Sequence, residues 1–135
     1  VLRTASAMRI DRVSVWFYDY QEGMERLSCA KLYSMLGQVQ SQQLQLRSSQ
    51  YPRYFQALAQ ESQIIIPSLL HASLNQELAT YLWTFHIISK LDVPIRFEGH
   101  LLGVLFCEET RTAREWQLED RHFGQTIAEI VALMI

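Results

Sequence analysis

Apolar positions dominate RVSVWFYDY, Arg12 to Tyr20, a run rich in β-branched and aromatic residues that closes on Gln21-Glu22-Gly23. Such a run belongs to a strand and the glycine-containing break to a turn. MERLSCAKLYS, Met24 to Ser34, continues as the antiparallel partner, so the two make a hairpin. KLDVPIRFEGHLLGVLFCEE, Lys90 to Glu109, has the same form around Glu98-Gly99, where glycine tolerates a positive φ. Pro94 interrupts the first half of this second hairpin with a residue that has no N–H to donate. It is expected at a bulge, a gap in the ladder or a cavity, where no carbonyl waits for a donor.

A period near 3.6 marks the helices. Leu2, Ala5 and Met8 give Val1 to Ile10 the pattern of a helix end. Tyr51-Pro52 opens a second helix, since proline suits the first helical position, and Tyr54, Phe55 and Leu58 form its apolar face. Leu74 to Phe85 repeats apolar residues at Leu74, Leu78, Tyr81, Leu82 and Phe85, a third helix. Trp116 to Ile135 places Phe123, Ile127, Ile130, Val131 and Met134 on one stripe of a long amphipathic helix.

Between these lie Gly37 to Gln50, a Gln/Ser-rich loop with one short edge strand at Leu44 and Leu46, and SQIIIP, Ser62 to Pro67, a buried strand stopped by proline. Ser68 to Ser73 reads as loop. The order predicts an α+β fold. An antiparallel sheet of five or six strands carries the terminal helices on one face and the middle helices and loops on the other. Val13 to Phe17 and Leu101 to Phe106 are apolar in both registers, as strands covered on both faces are.

Composition narrows the function. The 135 residues fit one domain, and 49% hydrophobic against 19% charged residues excludes a disordered chain. A formal charge of −2 supplies no field for a phosphate backbone, so nucleic acid is not an expected partner. No apolar run reaches the roughly 20 residues that cross a bilayer, and no membrane partner is expected. Cys29 and Cys107 lie in strand-like runs and read as small buried hydrophobes in a reducing, cytoplasmic compartment. The chain begins with valine and ends in an apolar helix, which reads as a piece cut from something longer.

Four strings in order carry a family resemblance. IISKLDVPIRFEGHLLGVLFCEE has a serine, a short apolar strand ending in Pro-Ile, a polar glycine turn and Leu-x-Gly-Val-Leu. REWQLEDRHFGQTIAEIVALMI has a tryptophan before an acidic helix start, and RVSVWFYD and YPRYFQAL complete the set. Together, from about Asp11 to the end, they resemble a GAF domain of the type found in bacterial sensor histidine kinases. The resemblance implies a non-catalytic sensory domain that binds a small molecule or partner and relays a change in helix packing to a fused effector, a histidine kinase of a two-component system. Alternatives are a dimerisation module without a ligand, a haem-based gas or redox sensor, and a redox reductase of related fold with a reactive thiol.

The resemblance also places the ligand cavity between the sheet and the middle helices, with Pro94 at the bend beside it. Trp16, Tyr18, Tyr54, Phe55, Tyr81, Phe85 and Phe106 would form an apolar wall, and Glu108, ending an apolar strand, a polar handle. Plain core packing explains most of these aromatics equally well. Bilin-carrying members attach their chromophore through Cys-His upstream of the proline strand, where this chain reads NQELATYLW, so a covalent bilin is not expected. A haem needs one axial histidine, which His71 or His86 would supply, but surface or hydrogen-bonded histidines are the favoured reading. The cyclic-nucleotide series and the reactive cysteines of methionine sulfoxide reductases do not thread through the chain.

No metal site is expected, because His71, His86, His100 and His122 lack ligand spacing. Glu115, Glu119 and Asp120 sit at a helix start, where the macrodipole favours negative charge, although Gln117 there lacks the capping threonine of similar sequences. No catalytic group emerges. The stripe Phe123, Ile127, Ile130, Val131 and Met134 exceeds what one face of a small sheet needs, and a homodimer through helix bundling would cover the surplus.

Overall fold

A computed structural model describes residues 9–34, 44–67 and 72–135 in full and the backbone of 37–39. Strands β1 (Arg12–Gln21), β2 (Met24–Ser34), β3 (Gly37–Val39) and β4 (Gln45–Arg47) come first. Helix α1 (Pro52–Gln60), β5 (Ile64–Ile66), α2 (Ala72–Glu77), α3 (Ala79–Thr84), β6 (Ser89–Phe97), β7 (His100–Glu109) and α4 (Leu118–Ala132) follow. The helix expected over Val1 to Ile10 falls outside the described residues, except for Arg9 and Ile10, which are not helical.

All pairings are antiparallel, in the order β3-β2-β1-β7-β6-β5, and β4 also pairs with β2. Because β3 lies along Leu32 to Ser34 and β4 along Arg26 to Ser28, the seven described strands occupy six positions. Both hairpin turns have positive φ at their two central residues, 53° and 78° at Glu22-Gly23 and 51° and 81° at Glu98-Gly99. That geometry matches the twist of the strands it joins.

Two cores flank the sheet. On one face Val13, Val15, Leu91, Val93, Ile95, Leu105 and Cys107 pack under α4 and Trp116. On the other Trp16, Leu27, Val104 and Phe106 pack under Tyr54, Phe55 and Leu58 of α1 and Leu74, Leu78 and Tyr81 of the α2–α3 region. The α+β layering is therefore as the pattern implied, with local differences.

The helix expected over Leu74 to Phe85 is two short ones. The backbone bends at Leu78 (ψ 4°), although Leu78 and Leu82 keep their bonds to the carbonyls of Leu74 and Leu78. The bend turns Glu77 onto the start of α1. There its carboxylate accepts from the N–H groups of Arg53 and Tyr54, both at 2.9 Å, a cap that α1 lacks in its own sequence. On α4 the residues laid against the sheet are small, and the apolar stripe lies beside them. Gly124, Ala128 and Ala132 are buried, Ile127 and Val131 are half-buried, and Phe123, Ile130 and Met134 are exposed. Small residues let α4 approach β6, and a Cβ on Gly124 would lie 3.2 Å from Val93 Cγ2. Without threonine at Gln117, Asp120 caps α4 by accepting from the Gln117 N–H at 2.9 Å.

Pro94 pairs with Val104 of β7 on one side. On the other side β5 stops opposite Asp92, so no strand flanks Pro94 there. The register shifts immediately afterwards, between Ile95 and Arg96, and Arg96 closes this edge by donating to the carbonyls of Leu58 and Glu61 at the end of α1. Proline is tolerated where the ladder ends.

Candidate functional site

β6 is buried from Ser89 to Ile95, yet it carries Lys90 and Asp92. Alternation sends Leu91, Val93 and Ile95 to the α4 face, and Lys90 and Asp92 to the face under α1 and α3. Register then assembles a charged row across three strands, since Glu108 of β7 lies opposite both Arg12 of β1 and Lys90 of β6.

Lys90 Nζ donates to Asp92 Oδ1 at 2.6 Å and lies 3.2 Å from Glu108 Oε2. It sits 3.1 Å from the centroid of the Phe106 ring and 5.3 Å from that of Tyr81, within cation–π range. Each carboxylate also receives a hydroxyl from a covering helix. Tyr54 of α1 donates to Asp92 Oδ2, and Tyr81 of α3 donates to Glu108 Oε2 at 2.8 Å. Arg12 stacks on Phe85 at 4.9 Å and places Nε 3.6 Å from Glu108 Oε1, with no hydrogen bond formed at either atom.

The side chains of Lys90, Asp92 and Glu108 are at most 1% exposed, so water does not screen them. Two cations and two carboxylates leave the cluster neutral, which is how charges persist in an interior. Burial pushes the Asp92 carboxyl up to about 6, Glu108 adds to the rise, and Lys90 and Tyr54 oppose it. Burial, and next the carboxylate each one faces, raises Tyr54 and Tyr81 well above the ordinary phenol value. Their hydroxyls are therefore fixed donors. The arrangement holds a cation and ties two helices to the sheet, and it presents no activated nucleophile. Burial also raises both thiols, Cys29 to about 11 and Cys107 further.

Of the residues singled out from the sequence, Trp16, Tyr54, Phe55, Tyr81, Phe106 and Glu108 come together in or against this interior, with Phe85 half-buried at its edge. Tyr18 is half-buried against the same core, and its hydroxyl donates to Glu25 at 2.8 Å near the first hairpin turn. Sequence reasoning missed Lys90, Asp92 and Arg12. The available signal was an opposite-charge pair two residues apart in a strand otherwise patterned for burial on both faces.

His71 lies outside the described residues. His86, at φ 55°, borders an open groove of about 450 Å³ lined by Leu82, Trp83, Ile87, Ile88 and Thr110. Among the described residues no group of three His, Cys, Asp or Glu side chains has metal-binding geometry, and no helix is long and apolar enough to cross a membrane.

The GAF domain family model matches residues 1–135. The chain belongs to the GAF domain family. No curated protein matches it. Among solved structures, this GAF domain is similar to a cyanobacteriochrome receptor PixJ at 18% identity and TM-score 0.78, covering 99% of this chain and 88% of that one. It is similar to the chromophore-binding domain of the Stigmatella aurantiaca bacteriophytochrome at 16% identity and TM-score 0.74, covering 99% and 51%. It is also similar to a GAF domain/HD domain protein from Geobacter sulfurreducens at 14% identity and TM-score 0.70, covering 98% and 85%.

These likenesses establish the GAF fold. They also correct one expectation. The missing Cys-His pair leads to the expectation of no covalent bilin, but the structures sharing this fold include a cyanobacteriochrome and a bacteriophytochrome chromophore-binding domain. One local string does not decide the cofactor of a fold that such photoreceptors share.

Proposed function

We propose that this GAF domain is the input module of a signalling protein, in which a small molecule or partner engaging the face between the sheet and α1–α3 alters helix packing and so drives a fused effector. The observation that carries this reading is the buried cluster at Lys90. Tyr54 and Tyr81 join two covering helices to Asp92 and Glu108, and the next residues of β6, Leu91 and Val93, pack on the opposite face beneath α4. A shift of β6 thus acts on both layers. A ligand drives such a shift only through its different affinities for the two packings.

Outward-facing Phe123, Ile130 and Met134 on α4 support a homodimer, and the likeness of the C-terminal string to sensor-kinase members supports a histidine kinase as effector. A chromophore is an admissible ligand class, given the photoreceptors that share the fold. The test is native mass spectrometry and absorption spectroscopy of the purified domain, with and without added open-chain tetrapyrrole, followed by light scattering. A bound mass that shifts near-ultraviolet circular dichroism or the monomer–dimer balance supports the reading. A protein that is monomeric at tens of micromolar and retains no small molecule under every condition counts against it.

The second reading, a dimerisation module with no ligand, is favoured by the close filling of the interior by Trp16, Tyr54, Phe106 and Lys90, each fully buried. It expects a dimer whose packing no added compound changes.

A further inference from the structure

Charges in an interior cost several kcal/mol of desolvation each, and apolar residues of the same size usually serve stability as well or better. A whole shell of groups nevertheless surrounds Lys90 Nζ. Asp92 Oδ1 stands at 2.6 Å, Glu108 Oε2 at 3.2 Å and the face of Phe106 at 3.1 Å, while the hydroxyls of Tyr54 and Tyr81 hold the two carboxylates. Two anionic acceptors and a π face satisfy a group with three N–H donors on one carbon stem. A planar guanidinium would need a wider fork, and a quaternary ammonium has nothing to donate.

We infer that this interior is a recognition site for a primary alkylammonium ion, occupied in the resting domain by the protein's own Lys90. The inference rests on the reading of this face as the sensory site and specifies its chemistry. Lys90 acts as a tethered ligand. While its Nζ bridges Asp92 and Glu108, both carboxylates remain available to Tyr54 and Tyr81, and α1 and α3 stay docked. Without the ammonium, Arg12 alone is left to balance two carboxylates, and one of them must take a proton or its helix must lift.

The test is chemical rescue. Lys90→Ala removes the ammonium and its stem and leaves a slot; Lys90→Met keeps the stem and removes only the cation. Thermal melting and near-ultraviolet circular dichroism are followed at pH 7 with n-propylammonium chloride. The controls are n-propanol, tetramethylammonium chloride and sodium chloride at matched ionic strength. The expected result is saturable stabilisation of Lys90→Ala by n-propylammonium at a midpoint at least tenfold below that of any control, with no such response in Lys90→Met or in the wild type.

Equal responses of Lys90→Ala to n-propylammonium and to n-propanol or salt would overturn the inference, as would equal rescue of Lys90→Met. Should Lys90→Ala not fold, the wild type decides. The chain has only two lysines, Lys31 and Lys90, and Lys31 is exposed. Nitrogen-15 lysine spectra should then show one solvent-protected ammonium and one fast-exchanging one, and two fast-exchanging signals would overturn the inference. A ligand that binds and repacks the helices although the ammonium tests fail sinks this inference and leaves the sensory reading standing.

Discussion

Removing the two tyrosine hydroxyls tests whether the cluster couples the covering helices. Tyr54→Phe takes a donor from Asp92, and Tyr81→Phe takes one from Glu108, in both cases inside a region water does not reach. A hydrogen bond to a charged group contributes about 1.5–3 kcal/mol, and a deserted buried acceptor loses a similar amount, so each substitution should lower unfolding free energy by about 2 kcal/mol. The hydroxyls do not meet each other. They meet two carboxylates that share Lys90. When one carboxylate loses its donor it draws more on the ammonium and loosens the other side, so the double variant should depart from additivity by at least about 0.5 kcal/mol. Urea unfolding followed by far-ultraviolet circular dichroism measures all four corners of the cycle, and repetition in a Lys90→Met background should abolish the coupling. Additivity to within about 0.3 kcal/mol in the native background, or the same coupling with methionine at position 90, would refute a relay through Lys90.

Gly103→Ala should destabilise the domain by about 2 kcal/mol or more in urea unfolding, because its Cβ would lie 2.2 Å from the rigid carbonyl oxygen of Trp16; a loss below about 0.5 kcal/mol would contradict that close approach. Asp92 has a folded pKa of about 6 against an ordinary 3.8, so the native state holds a proton that the unfolded chain releases between those values. Its contribution to stability therefore grows as pH falls from 6 towards 4 and declines as pH rises. Comparing urea midpoints of wild type and Asp92→Asn at pH 4.5 and 7 isolates this slope, and identical pH dependence in the two would refute it. Asp11 acts in the opposite sense. Burial raises its pKa, but the hydrogen bonds and charge of Arg111 and Thr110 outweigh that and hold it low, so its contribution is lost on acidification. Both cysteines should label slowly with a thiol reagent at pH 8 when folded and rapidly in denaturant, since burial raises both pKa values; fast labelling of the folded chain would reopen a thiol enzyme.

How much was legible follows from the range of each interaction. The β-branched and aromatic run over Arg12 to Tyr20, the Glu22-Gly23 and Glu98-Gly99 turns and the proline at the start of α1 are local facts, and each lies in the structure where the pattern put it. Leu74 to Phe85 failed as one helix because the bend at Leu78 brings Glu77 to the first N–H groups of a helix more than twenty residues earlier, a partner that periodicity does not contain. The small residues that α4 lays on the sheet were not legible for a related reason. Periodicity ranks large apolar residues as inward, whereas close approach to β6 selects Gly124, Ala128 and Ala132.

The sequence by itself determined the α+β layering, the two hairpins, the family and the aromatic set around Trp16, Tyr54, Tyr81 and Phe106. Those follow from short-range periodicity and from residue types that demand burial. Only the tertiary structure decided that Arg12, Lys90 and Glu108 share one row and that Asp92 completes the shell around the Lys90 ammonium. Charges are assigned to the surface unless partners are known. The partners here come from three strands and two helices, joined only when register and helix docking fix which side chains face one another.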